Sequence, residues 1–352
     1  MLISPAAIGS HNKPKFSDMK AFVEKLHSNN INVVLWIATP FIGSESKDFD
    51  LFKGKLLRKK HDDGSVMVAD PRFADVRSWY VKMLTERMKN WNLDGFKLDF
   101  IDCFTLCEES SQNYDEMDYP VLGKAVTVLL DEICSSLRQL NPDVMIEYRQ
   151  PYIGPDMQRS GNMFRVEDCA YGAKFNRLNG IDLRLIAPDS AVHSDMIMWD
   201  YDASVEAAAD QLSALLFVVP QVSMLFDKLN DEHKKMLSFY LNFIDENREV
   251  LQRGKLVPLY PEADYSVVFA YKDNKVIAAL YSANSFEVPD GTEEFAIVNA
   301  SGNDKVYIEF PDSFLGRNYR ICNCMGEEYL SGKIADKIQS FLIPHNGILF
   351  CN

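Results

Sequence analysis

Asn92-Leu93-Asp94-Gly95-Phe96-Lys97-Leu98-Asp99-Phe100 reads as a buried strand. Phe96, Leu98 and Phe100 recur at every second position, with Lys97 and Asp99 between them. Strand side chains alternate between faces, so the lysine and the carboxylate point the same way. Two opposite charges on one face of an apolar strand are costly unless they pair or that face lines a polar cavity. Two readings fit: a structural ion pair, and a catalytic carboxylate at the C-terminal end of a barrel strand.

The flanking sequence favours a barrel. Upstream, Phe16 to Asn29 predicts a helix with Ser17 as its cap and Met19, Phe22, Val23 and Leu26 as its apolar stripe. Ile31 to Ala38 is a near-continuous apolar run of the kind buried on both faces of a parallel sheet. A Lys- and Asp-rich stretch from Ser44 to Ser65 predicts a loop, and Asp70-Pro71 predicts the start of the helix that leads into the Asp99 strand. Downstream the alternation continues. Helices are expected at about Val121 to Leu140, Ala173 to Ile186, Val205 to Val218 and Asp231 to Val250. Strands are expected at Val144 to Tyr148, Met163 to Cys169, Ala191 to Trp199 and Gln221 to Phe226. Six strands alternating with helices imply right-handed βαβ units and a parallel sheet. No glycine-rich phosphate loop follows any strand, which argues against a dinucleotide fold.

After about Arg253 helical periodicity stops. Ser266 to Tyr271 and Lys275 to Tyr281 flank the turn Lys272-Asp273-Asn274, and further short strands are expected at Glu294 to Val298, Lys305 to Phe310, Tyr319 to Asn323 and Ser340 to Ile343. The expected division is a barrel domain over 1–253 and an antiparallel β-sandwich over 254–352.

Composition narrows the partners. The 352 residues are 47% hydrophobic and 25% charged, as in a globular chain. A net charge of −14 disfavours nucleic acid or an anionic membrane and suits a neutral ligand. Seven cysteines without a paired CxxC spacing, and six scattered histidines, disfavour both a disulfide framework and a structural zinc site. Met1-Leu2-Ile3-Ser4-Pro5 lacks the pattern of a signal peptide. A cytoplasmic location is expected as written, and a secreted or periplasmic one if a leader lies upstream of Met1.

Polar residues gather toward the C-terminal ends of the expected strands: Trp36 on the first, Lys97 and Asp99 on the second, Glu147 and Arg149 on the third. Arg165, Glu167 and Asp168 lie on the fourth, and His193, Asp195 and Trp199 on the fifth. Barrels place their active sites at that end. Two carboxylates there, with Trp and Arg nearby, suit glycoside hydrolysis, in which one attacks the anomeric carbon and the other protonates the leaving oxygen. Lys97 beside Asp99 would favour its carboxylate form.

The segments LWIATPF, DPRFADVRSWYVKML, DGFKLDF, IEYRQPYIGP, NMFRVED and HSDMIMW resemble the retaining α-glycosidases of the melibiase superfamily, nearest the α-galactosidases of glycoside hydrolase family 36, with family 31 related. The resemblance implies Asp99 as nucleophile and Asp168 as general acid/base, with Glu167 as the alternative acid. Lys97 and Arg165 would bond the sugar or the nucleophile, and Trp36 would line the glycone pocket. Arg149, His193, Asp195 and Trp199 complete the expected substrate-binding set. Glu147 with Arg149 also reads as a structural ion pair, and His193 with Asp195 as partners of each other. No metal or organic cofactor is needed.

Counted against that family, Ile31–Ala38 corresponds to barrel strand three. The expected fold class is therefore an α/β (β/α)8 TIM-type barrel represented by strands three to eight, followed by the sandwich. Two functions follow: an active α-glycosidase, on α-galactosides or on α-glucosides and α-xylosides, and an inactive barrel fragment with a sugar-binding or assembly role. A homo-oligomer or partner chain that completes the barrel is the expected protein partner.

Overall fold

The computed structural model describes residues 18–60, 63–149 and 152–351. The expected Ser17 cap, and the stretch from Met1 to Lys15, lie outside them. The chain divides into two compact units, Met1–Phe164 and Arg165–Asn352.

In the first unit, helix α1 (Met19–His27) is capped by Asp18, whose carboxylate accepts from the Ala21 amide at 3.0 Å. It buries Met19 and Val23 and leads to strand β1 (Val34–Ala38). Ser44 to Ser65, expected to be a loop, is mostly turns but contains one strand of a small antiparallel sheet whose other two strands flank it. Strands β2 (Phe41–Gly43), β3 (Leu56–Lys59) and β4 (Val66–Ala69) pair in the order β2-β4-β3. Lys59 is exposed and Arg58 half-buried, while Phe41, Ile42, Leu57 and Val68 are buried.

Helix α2 (Ala74–Trp91) begins later than Asp70-Pro71 suggests, with Phe73 at the cap. Asp70 does not cap it. Its carboxylate is fully buried and ion-paired with Arg72 at 2.7 Å, and Arg72 also donates to the Ser111 carbonyl at 2.8 Å. Asn92, left-handed at φ 56°, ends the helix and turns the chain into β5 (Gly95–Asp99). Then come α3 (Leu122–Leu140), β6 (Met145–Arg149), α4 (Pro155–Ser160) and β7 (Met163–Arg165). Gly95 is dictated by close approach: a Cβ there would sit 1.9 Å from the Met145 carbonyl oxygen of β6.

The second unit continues with α5 (Ala173–Ile186), β8 (Ala191–Ile197), α6 (Val205–Ser213), β9 (Val219–Val222), α7 (Asp231–Glu246) and α8 (Arg248–Leu251). Among the described residues, the α/β sheet has six strands in the order β1-β5-β6-β7-β8-β9. The β1/β5, β5/β6 and β8/β9 pairs are parallel. This is the open, barrel-type sheet expected from the alternation.

The β-rich part starts at β10 (Lys255–Leu259), with β11 (Val267–Lys272), β12 (Lys275–Leu280), β13 (Ser285–Glu287), β14 (Glu294–Asn299) and β15 (Lys305–Glu309). It ends with β16 (Asn318–Cys322), β17 (Glu328–Lys333), β18 (Ile338–Leu342) and β19 (Gly347–Cys351). A seven-stranded sheet, order β10-β11-β12-β14-β19-β16-β17, and a three-stranded sheet, order β13-β15-β18, share one core of which Phe286, Phe295, Phe310, Phe314 and Phe341 are the large members. Pairing is antiparallel except for β12/β14 and β13/β15. No helix among the described residues is long and apolar enough to cross a membrane.

Candidate active site

The β5 strand alternates as its sequence requires. Phe96 and Leu98 are fully buried on one face, and Lys97 and Asp99 occupy the other. The strand stops at Asp99 because Phe100 turns left-handed at φ 63°. A bulky residue in that region is strained, a state that persists only where the surroundings enforce it. Here the Phe100 ring is wedged against Phe41 at 5.2 Å and Trp36 at 6.1 Å, with the Arg149 guanidinium 5.3 Å from its centre.

The turn leaves Asp99 at the strand's C-terminal end with its side chain 6% exposed. The Trp36 indole donates to Oδ2 at 2.8 Å. The Phe100 amide donates to Oδ1 at 2.8 Å, and the Tyr152 hydroxyl lies 3.2 Å from the same oxygen. Arg149 Nε is 3.2 Å from Oδ1. Burial, and then the Asp99 charge, hold the Tyr152 phenol well above its ordinary range, so it stays a donor.

Lys97 is not the partner of Asp99. Its ammonium is 3.0 Å from Glu147, its direct neighbour in the parallel register. Two cross-strand ion pairs, Lys97–Glu147 and Asp99–Arg149, join β5 to β6.

The second unit holds its own cluster. Arg165 ends β7, is buried, and reaches Asp195 on β8 at 2.5 Å as well as Asp168. Asp195 is fully buried; it also accepts from the Cys169 amide at 2.5 Å, and its own amide donates to Asn176 at 2.9 Å. Asp195 thus anchors Arg165, and Arg165 steadies Asp168, whose side chain is 66% exposed. The strand ends three residues before Asp168, so strand parity does not govern it. Glu167 is exposed and makes no hydrogen bond or ion pair with the described residues. Burial, then the Asp195 charge, pushes the Cys169 thiol up to about 11, so it is no nucleophile near neutral pH.

His193 bonds Gln221 through Nδ1 at 3.2 Å, not Asp195. Trp199 lies beyond the end of β8, is buried, and donates its indole N–H to His233 at 3.2 Å, an arrangement of packing rather than of an open pocket. Sequence reasoning missed Tyr152, Phe100 and Asn176 as supports. Tyr152 alone carried a signal, a polar aromatic just beyond a strand that bears two charged residues. Among the described residues no group of three or more His, Cys, Asp or Glu could hold a metal ion.

A carboxylate fixed by donors at a strand end and a second, exposed carboxylate steadied by arginine are the parts that glycoside hydrolysis uses. A comparison with curated proteins finds no match. Solved structures share the fold at low identity. An α-galactosidase from Lactobacillus brevis superposes with a TM-score of 0.63 at 14% identity, over 97% of this chain and 47% of that one. The family 36 α-galactosidase AgaA from Geobacillus stearothermophilus, in complex with stachyose, gives 0.60 at 12%, over 97% and 48%. A noncanonic maltogenic α-amylase, AmyB from Thermotoga neapolitana, gives 0.60 at 12%, over 95% and 80%. The chain thus spans about half the length of the α-galactosidases it resembles. The model of the glycosyl hydrolases family 31 TIM-barrel domain matches residues 9–250, so this chain belongs to that family.

Proposed function

We propose that the protein is a retaining glycoside hydrolase acting on terminal α-linked sugars, with α-galactosides as its first substrate class. The observation that carries this reading is the set of donors around Asp99. A nucleophile must be held in place and aimed at one carbon, and the donors Trp36, Phe100 and Tyr152, with Arg149 as an ion-pair neighbour, support that role for Asp99. In the first step an Asp99 oxygen attacks the anomeric carbon, the glycosidic bond breaks, and Asp168 gives its proton to the leaving oxygen. In the second, Asp168 takes a proton from water, which attacks the same carbon and frees Asp99. Two displacements give net retention. Lys97 in the first unit, and Arg165, His193 and Asp195 in the second, are assigned to bonding sugar hydroxyls or to holding the groups that do, and Trp36 to stacking on the sugar.

The test is hydrolysis of an aryl α-galactoside by the intact chain, with the first-formed anomer read by NMR. Asp99→Asn should abolish turnover, and an activated fluorosugar should label Asp99, seen by mass spectrometry. Asp168→Asn should slow substrates with poor leaving groups far more than activated ones. If Glu167→Gln shows that pattern instead, the acid is Glu167. The fold likeness to a maltogenic α-amylase makes α-glucosides the second substrate to try, with α-xylosides third. Folded protein that turns over none of the three overturns the proposed function.

A further inference from the structure

The sandwich carries a cleft that the proposed chemistry does not use. Its volume is about 600 Å³, and it opens where β10 and β13, each the end strand of its sheet, leave their edges uncovered by a further strand. Val267, Phe269 and Phe286 give it an apolar floor. Tyr260 and Tyr307 stand in its walls, 53% and 41% exposed. Tyr260 takes its place with a left-handed backbone, φ 59°, an uncommon and strained choice for an aromatic residue.

Two carboxylates meet in the same cleft. Glu287 and Glu309 are direct partners on the parallel strands β13 and β15, so both side chains leave the same face. Like charges so placed repel. Glu309 has only a distant cation among the described residues, Lys337 at 3.8 Å, and the Glu287 carboxylate has no hydrogen bond or ion pair with them. One register step of two residues away, Ser285 and Tyr307 are partners on that face.

We propose that this cleft is a non-catalytic carbohydrate subsite that takes a pyranose residue of a neutral oligosaccharide. A pyranose has an apolar C–H face to lie against a tyrosine ring and a rim of hydroxyl donors. Carboxylates accept such donors strongly, and two of them bridged by hydroxyls no longer face each other bare. A neutral chain also adds no charge to a protein of net charge −14. The subsite would hold a second sugar unit of the substrate class proposed above; that choice of ligand rests on the family reading, while the cleft itself does not.

Ile338 lines the cleft and is 62% exposed, so its methyl group is a local reporter. Raffinose and maltotriose are titrated into isoleucine-methyl-labelled full chain, wild type and Asp99→Asn, and followed by NMR. The expected result is a saturable Ile338 shift with a Kd on the order of 1 mM, the same in both proteins. Glu287→Gln with Glu309→Gln, a change of charge without a change of shape, should weaken it about tenfold, and Tyr307→Ala likewise. An unmoved Ile338 signal with both sugars overturns the proposal. So does a shift produced by calcium and not by sugar, which makes the cleft a cation site, or one that follows protein concentration alone, which makes it a contact between copies. Glycoside turnover is read separately: its loss with the Ile338 response retained overturns the proposed function and leaves the subsite standing.

Discussion

A carboxylate taken out of water needs partners on both oxygens, and around Asp99 they are shared unequally. Oδ1 accepts from Phe100 and Tyr152 and has the Arg149 guanidinium as an ion-pair neighbour, whereas Oδ2 accepts from the Trp36 indole. Trp36 therefore sets the tilt of the carboxylate more than any one group on the other side. Hydrogen bonds to charged groups contribute about 1.5–3 kcal/mol, which corresponds to about 10- to 100-fold in rate when the lost orientation is needed in the transition state. Trp36→Phe keeps an aromatic ring and removes the N–H, so kcat/KM should fall by about that factor with little change in unfolding midpoint. Tyr152→Phe removes a longer bond, 3.2 Å, and a smaller loss of about tenfold is expected. Steady-state kinetics with denaturation controls checks both. A Trp36→Phe enzyme with full kcat/KM would remove the indole from the mechanism.

At the scale of elements, the cross-strand pairs depend on how closely β5 and β6 lie. Gly95 faces Met145 in the register, and a methyl group there would meet backbone, which cannot swing aside. Gly95→Ala should cost about 1–3 kcal/mol or more and pull Lys97 and Asp99 away from Glu147 and Arg149. Urea unfolding should show a lower midpoint, and turnover should fall further than the loss of folded protein explains. Unchanged stability would mean that the strands separate freely. The sequence carried much of this architecture. Helix α1 was legible from its apolar stripe, and β5 from its alternation, since burial on one face imposes both patterns. The sheet of β2, β3 and β4 was not legible, because its short strands are set in Lys- and Asp-rich sequence. Asp70-Pro71 looked like a helix start, yet Asp70 folds onto Arg72, a buried pair that no local pattern announces. The strand-end charged residues were legible from the sequence, but how they pair was not. Lys97 and Asp99 share a face, but which β6 residue each meets depends on inter-strand register, and that is fixed by contacts distant in sequence.

At the scale of the whole second unit, one turn ties the helical part to the sandwich. Between β18 and β19, His345 Nε2 is 2.7 Å from Asp210 of α6, and Nδ1 is 2.8 Å from the Ser301 carbonyl. Asn346 donates to Asp210 at 2.7 Å and to the Glu206 carbonyl at 3.0 Å, and the Tyr240 hydroxyl donates to the Asn346 carbonyl at 2.6 Å. Both imidazole nitrogens thus face acceptors, which suits the doubly protonated ring. The Asp210 hydrogen bond raises the His345 pKa above its ordinary value against the opposing effect of burial, and the Ser301 carbonyl adds to the rise. A base whose pKa is higher in the folded state stabilises that state fully below its unfolded pKa, about 6.5 for histidine, and loses the contribution as pH rises through the folded value. The pair is partly exposed, at 34% and 47%, so screening limits its worth to a few tenths up to about 1 kcal/mol. Unfolding by urea should therefore show a stability difference between wild type and His345→Gln that is largest near about pH 6 and shrinks toward about pH 9. The comparison with the variant removes the general repulsion of a chain of net charge −14, which grows with pH in both proteins. A difference that stays constant across that range would mean that His345 holds the turn as a neutral hydrogen-bonding ring, and that charge plays no part in joining the sandwich to α6.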